Sequence, residues 1–225
     1  MKKAIILAGL FGLGGLASLA QQVTSVTLNP NAIITDGNLV GVQEAFNVSG
    51  LSGSIADVQL QLNIMGGFNG DLYATLVDPQ GQMAVLINRP GVDASNPIGY
   101  ADAGLDITLD GTAANNFSTY GVAYDVNANG QVTGTWAADG RVVSPLSTGT
   151  ILASTPSTAG LSLYLGENAS AMNGTWELFT AGVSDGGPFA TLLSSSLSIM
   201  TVPEPGTIAL AGLGSAILLL YRRKK

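Results

Sequence analysis

The stretch Ala56-Asp57-Val58-Gln59-Leu60-Gln61-Leu62-Asn63-Ile64-Met65 alternates without a break. Val58, Leu60, Leu62 and Ile64 fall on one side and Asp57, Gln59, Gln61 and Asn63 on the other, the period of two expected of a strand buried on one face. Similar alternation recurs along the chain. It places Leu105, Ile107 and Leu109 together in GLDITLDG, Val122, Tyr124 and Val126 in GVAYDV, and Leu161, Leu163 and Leu165 in GLSLYLG. Trp176 and Leu178 follow in NGTWELFT, and Leu193, Leu197 and Ile199 in LLSSSLSIM. Turn-forming runs separate these segments: Asp78-Pro79-Gln80-Gly81, Asp110-Gly111, Asn129-Gly130, Asp139-Gly140, Asn173-Gly174 and Asp185-Gly186-Gly187-Pro188. Many short strands divided by Gly, Asn and Asp, with no helical period outside the two ends, predict an all-β body, an antiparallel β-sandwich of jelly-roll-like form. Trp176 reads as a core plug, and Gly70 and Gly81 as turn residues with positive φ.

Residue types absent from the chain exclude whole classes of chemistry. There is no cysteine and no histidine among the 225 residues. Disulfides, thiolate metal sites, Ser-His and Cys-His nucleophiles and His-ligated zinc are all ruled out. What remains for catalysis is paired carboxylates, which in a glycosidase would stand ~5–10 Å apart. Glu167 with Glu177 or Asp185 is the pair to consider. Glu177 alternates with Trp176 and Leu178 and is expected to face solvent, so the body reads as non-catalytic.

The charge distribution is more telling than the net charge of −7. Lys2, Lys3, Arg222, Arg223, Lys224 and Lys225 occupy the two ends, which leaves only Arg89 and Arg141 between them. All fifteen acids lie between Asp36 and Glu204. So acidic a surface repels nucleic acid and anionic lipid, and no nucleic-acid partner is expected.

The ends look like addresses. Met1-Lys2-Lys3, the apolar run AIILAGLFGLGGLA and the small residues around Ser18-Leu19-Ala20 have the layout of a signal peptide, with a signal helix over residues 1–20 cut after Ala20 by signal peptidase once the Sec machinery has exported the chain. At the other end, Thr207 to Tyr221 is apolar apart from Gly and Ser. It is somewhat shorter than the ~20 residues of a comfortable span, and flanking residues bring it within reach of a transmembrane helix. Export of the body and retention of Tyr221-Arg222-Arg223-Lys224-Lys225 in the cytoplasm give one orientation. Pro203-Glu204-Pro205-Gly206 lies at the outer edge of that span, where proline bars helix and ladder hydrogen bonds and leaves the backbone open to a processing enzyme.

VPEPGTIALAGLGSAILLLYRRKK, residues 202–225, resembles the PEP-CTERM sorting signal of exopolysaccharide-producing Gram-negative bacteria: a V-P-E-P motif, an apolar helix and a basic cluster, in that order. The resemblance implies recognition by an exosortase, a transient stay in the inner membrane, and cleavage at the processing motif Val202, Pro203, Glu204 and Pro205. The implied destination is the cell surface or the exterior. A second resemblance covers the body, residues 21–201. Gly70-Asp71-Leu72, the turn Asp78-Pro79-Gln80-Gly81, Arg89 after the return strand, GLDITLDGTAANNF and Asn173-Gly174-Thr175-Trp176-Glu177-Leu178 are similar, in order, to the P domain that follows the catalytic domain of subtilisin-like proprotein convertases. It implies a β-sandwich that stabilises or binds a partner, without peptidase activity of its own.

Asp125-Val126-Asn127-Ala128-Asn129-Gly130 matches the start of a calcium loop of D-x-N-x-N-G type, with Asp125, Asn127 and Asn129 as candidate ligands. The twelfth position, where a bidentate Glu belongs, is Trp136, so the same residues also read as a hairpin turn. Asp102, Asp106 and Asp110 are further acids that could share a calcium ion. The expectation for function is a non-catalytic surface or matrix protein that binds exopolysaccharide or envelope partners. The alternative is an accessory module for a separately encoded secreted protease.

Overall fold

The computed structural model describes residues 21–185 and 187–202. The signal segment with Ala20, the sorting residues Pro203, Glu204 and Pro205 and the apolar tail lie outside the described residues. Eleven strands form two sheets. The first sheet runs β1 (Gln22–Leu28), β11 (Ala190–Val202), β4 (Ser54–Gly66), β7 (Gly104–Asp110), β9 (Val132–Trp136) and β8 (Asp125–Val126), with β2 (Ala32–Ile34) also pairing β11. The second runs β3 (Asn38–Val48), β10 (Gly174–Gly182), β5 (Leu72–Val77) and β6 (Met83–Asn88). The body is an all-β sandwich.

β4 behaves as its alternation predicts. Val58, Leu60, Leu62 and Ile64 are each at most 1% exposed and meet Phe46, Leu76, Trp176 and Leu178 of the second sheet in one core. Trp176 is fully buried, donates from Nε1 to the Met172 carbonyl at 3.0 Å, and packs edge-on against Tyr164 at 4.9 Å. The Tyr164 hydroxyl in turn donates to the Leu76 carbonyl at 2.7 Å, which satisfies the polar end of a large aromatic inside the core.

Four details depart from the alternation. Leu161, Leu163 and Leu165 do not make a strand: Leu161–Tyr164 is a 3-10 turn, which buries Leu161 and Tyr164 at a spacing of three. Phe117–Val122 is likewise a 3-10 segment, so of GVAYDV only Asp125–Val126 is strand, and Val122 is 88% exposed. In β11 a bulge at Leu193 shifts the register between Leu192 and Ser194, so Leu192 enters the core in place of Leu193. β9 pairs β7 in parallel, because the chain from Gly111 to Tyr124 crosses over to the outer strand β8 and then turns back through β9, between β8 and β7. Gly70 also differs in its reason for being glycine. Its φ is not positive, and a Cβ there would stand 2.2 Å from the Ile98 carbonyl oxygen. Gly81 does have a positive φ, 84°, at the turn that the Asp78 carboxylate organises by accepting from the Gln80 and Gln82 amides.

A buried strand and its solvent face should respond differently to truncation. Leu62→Ala is expected to cost about 3 kcal/mol in urea denaturation, whereas Gln61→Ala beside it should stay within about 0.5 kcal/mol. Equal effects at the two positions would overturn the assigned register of β4.

Candidate functional site

Both arginines of the body make internal hydrogen bonds, Arg141 buried and Arg89 half-buried. Asp139 and Arg141 form an ion pair that is 0% and 7% exposed, and its geometry is a two-pronged clasp: Nε to Oδ1 and Nη2 to Oδ2, each 2.7 Å. Nη1 donates to the Leu152 carbonyl, Nη2 also to the Asn88 carbonyl, and the Asn88 amide nitrogen returns hydrogen bonds to the carbonyls of Arg141 and Val143. This clasp pins the segment after β9 along the outer side of β6, where the Asp139 and Gly140 amides donate to Leu86 and Val85. An edge strand is thereby covered. Arg89, held at a positive φ of 50°, donates to the carbonyls of Gly70, Pro97 and Pro145 and to the Ser184 hydroxyl. Burial lowers its pKa, and the nearby Asp71 carboxylate counters that fall.

Arg141 also lines a cleft of about 450 Å³ with Asp93, Asn96, Tyr100, Asn116 and Ser118. The guanidinium charge is neutralised by Asp139, so the cleft offers hydrogen-bonding groups and no free cation. Asp93 is a poor proton acceptor, since the Ser95 hydroxyl and then the Asn96 and Ser95 amides hold its pKa below the ordinary carboxylate value. The Tyr100 ring lies so close to Gly91 and Gly121 that a Cβ on either would stand 2.5 Å from it. The cleft presents neutral hydrogen-bonding groups together with the Asp93 carboxylate.

Two carboxylate clusters were not visible in the spacing. Gln59 bridges β4 to β7 by donating from Nε2 to Asp57 and to Asp110, 2.9 Å each. Asp57 is buried, its Oδ1 has no hydrogen-bond partner among the described residues, and burial, with Asp110 close by, raises its pKa. Asp102 accepts from the hydroxyls of Tyr120 and Tyr124 at 3.0 and 2.8 Å. Burial pushes the Tyr120 hydroxyl far above its ordinary value, and the Asn69 amide that bonds it is fully buried. Both clusters appear only when the strands are paired in register, since their members come from separate segments.

The candidates read from sequence are placed as follows. Asp125 begins β8, and Asn127 and Asn129 make the turn into β9: Asn127 Oδ1 accepts from the amides of Asn129 and Gln131 at 2.9 and 3.1 Å. A calcium ion held by Asp125, Asn127 and Asn129 would require that oxygen to release those amides. Asp106 projects from the outer face of β7 opposite Asn63, Asp110 bonds Gln59, and Asp102 is taken by the tyrosines, so the three do not converge. Among the described residues no three acids gather into a metal site. Glu167 follows the 3-10 turn beside Ile55, Glu177 is exposed on the outer face of β10, and Asp185 is exposed in the β10–β11 loop. These acids sit on separate elements. Val202 ends β11, paired with Ser54.

For the raised Asp57 the sign is fixed. Its ionisation opposes folding, so the protein gains stability as pH falls through the raised native value towards the ordinary value of 3.8. Asp57→Asn should be at least as stable as the parent at pH 7, with the parent gaining on it as pH falls to about 4. A pH-independent difference in denaturation midpoint would overturn this. For the β8–β9 turn, Asn127→Ala should cost about 1 kcal/mol equally with and without calcium. A calcium-dependent rise in melting temperature that the variant loses would instead place the ion at Asp125, Asn127 and Asn129.

Comparison with known proteins bears on both the body and the tail. The structure is similar to a complex of the Aeromonas sobria serine protease and its chaperone over 82% of this chain and 28% of that one, at 14% identity and a TM-score of 0.44. The serine protease of Aeromonas sobria alone gives 16% identity over 81% and 27%, with a TM-score of 0.43. The infectious bursal disease virus VP2 subviral particle gives 9% identity over 81% and 32%, with a TM-score of 0.31. The chain spans little more than a quarter of the length of the proteases. No curated protein matches it. Residues 201–225 match the PEP-CTERM protein-sorting motif, and the chain is thus an exported protein with an exosortase sorting tail.

Proposed function

We propose that this is a non-catalytic protein of the cell surface or extracellular matrix that is released by an exosortase and binds exopolysaccharide or an envelope partner. The observation that carries the reading is the junction at Val202. The sorting motif begins at Thr201, inside β11, where Thr201 faces Gln22 on one side and Ile55 on the other. No spacer separates the folded body from Pro203-Glu204-Pro205, so the sandwich is the cargo, and it is delivered folded up to the processing motif. Glu167, Glu177 and Asp185 sit on separate elements, and the cleft beside Arg141 is lined mainly by neutral polar groups, which suits a binding role. The body's acids far outnumber its two arginines, one of which is paired with Asp139, and this favours an uncharged ligand over nucleic acid or anionic lipid. The P-domain resemblance of Gly70-Asp71-Leu72 and Asn173-Gly174-Thr175-Trp176 favours a second reading, an accessory module for a separately encoded secreted subtilisin-like protease. Co-purification with a peptidase would select it. A calcium ion at Asp125, Asn127 and Asn129 is compatible with either reading and is addressed by the Asn127→Ala titration.

Intact mass of the protein recovered from the surface and medium of the native host tests the processing. The expected species lacks residues 1–20 and everything beyond Pro203 to Pro205. A species that retains Arg222 to Lys225 would mean a permanent anchor and overturn the reading.

A further inference from the structure

Among the described residues three aromatic side chains are solvent-exposed, Phe68 (40%), Tyr124 (40%) and Phe189 (63%), and the strand registers bring all three to one end of the sandwich. Phe189 precedes Ala190, the first residue of β11, which faces Gly66 at the end of β4. Phe68 lies two residues past that end, and its ring is close enough to Gly187 that a Cβ there would stand 3.1 Å from it. The Tyr124 hydroxyl bonds the Asp102 carboxylate, and the Asp102 carbonyl accepts from the amide of Asn69, the neighbour of Phe68. The opposite end is where Gln22 faces Thr201 and Val202 faces Ser54, so both ends of the body leave there. β11, thirteen residues at ~3.4 Å each, separates the two ends by about 40 Å.

We propose that this aromatic end, remote from the sorting tail, docks an uncharged polysaccharide chain; the proposal rests on the matrix-binding reading above. A sugar ring presents a C–H face and a rim of hydroxyls. Exposed aromatic side chains offer rigid apolar faces at low entropic cost, and the exposed carboxylates of Asp125 and Asp185 and the amide of Asn129, at the same end, can bond the rim. Charge selects among glycans. Arg141 is paired with Asp139 and Arg89 is engaged by three carbonyls and Ser184, so the acids dominate the field of the body and an anionic chain is repelled by the carboxylates that a neutral one would bond. Position agrees: while the tail holds the chain at the membrane, this end points away from it.

The test is affinity electrophoresis of the processed protein from the host, in gels containing either the neutral or the anionic fraction of the host's own exopolysaccharide, with alginate as an anionic control. Retardation by the neutral fraction alone is expected. Phe68→Ala, Tyr124→Ala and Phe189→Ala combined should weaken it about tenfold or more, with a melting temperature close to the parent's because two of the three side chains bond nothing. If that variant is destabilised by loss of the Tyr124 bond to Asp102, Phe68→Ala with Phe189→Ala alone must still weaken retardation. Undiminished retardation of a folded variant would overturn the docking site and leave the matrix-binding reading standing. No retardation by any fraction would overturn both. A doubling of mass in light scattering that the substitutions abolish would assign the end to a second copy of the chain and overturn the proposal.

Discussion

The pairing of β11 with β4 is the constraint on which the rest of the structure depends. β11 is the last strand of the body, yet it lies inside the first sheet, with β1 and β2 on one side and β4 on the other. Neither β1 nor β2 has another strand partner, so the N-terminal edge cannot be placed until the chain has been made as far as Val202. Long-range pairings of this kind form late, because loop closure must precede the contacts that reward it. The strand that completes the body runs directly into the sorting motif, which starts at Thr201.

The second constraint is the handling of charge. A body with fourteen acids and two arginines could have placed those arginines on its surface to relieve repulsion. It uses both as internal ties. Arg141 clasps Asp139 and fastens a long irregular segment along β6, while Arg89 gathers four loops through three carbonyls and a serine. A buried ion pair is weak evidence for net stability, since desolvation offsets much of the attraction, but removal of one partner leaves an uncompensated charge. The pair is better understood as fixing where the segment from Ala138 to Ser157 lies, because few apolar side chains there could specify it.

The alternation of β4, β7 and β10 made the sandwich legible, since a strand buried on one face writes its orientation in the period. The tail was legible for a different reason: a sorting signal is read as a linear sequence, so its chemistry has to be present in order. Elsewhere the pattern misled. Leu161, Leu163 and Leu165 alternate, but a 3-10 turn with three residues per turn also buries every third residue, and Leu161 with Tyr164 satisfies that period instead. In LLSSSLSIM two adjacent leucines left the face ambiguous, and a single-residue bulge decided it for Leu192. The clusters at Asp57 and Asp102 were illegible in principle. Gln59 meets Asp110 across two strands, and Tyr124 meets Asp102 from a crossover whose parallel return no local pattern announces.

The two ends of the sandwich differ in kind, and strand register is what separates them. At one end β1 begins and β11 finishes, side by side, so the sorting motif leaves from beside the start of β1. At the other end the loops after β4 and before β11 carry the exposed phenylalanines, and the Asp102 carboxylate draws the Tyr124 ring towards them. An odd-numbered slip of β11 against β4 would turn Leu197 and Ile199 out of the core. The hydrophobic period that builds the core therefore also fixes which residues lie at the end remote from Val202. The same packing that buries the core thus places the exposed phenylalanines and the chain ends at opposite ends of the sandwich.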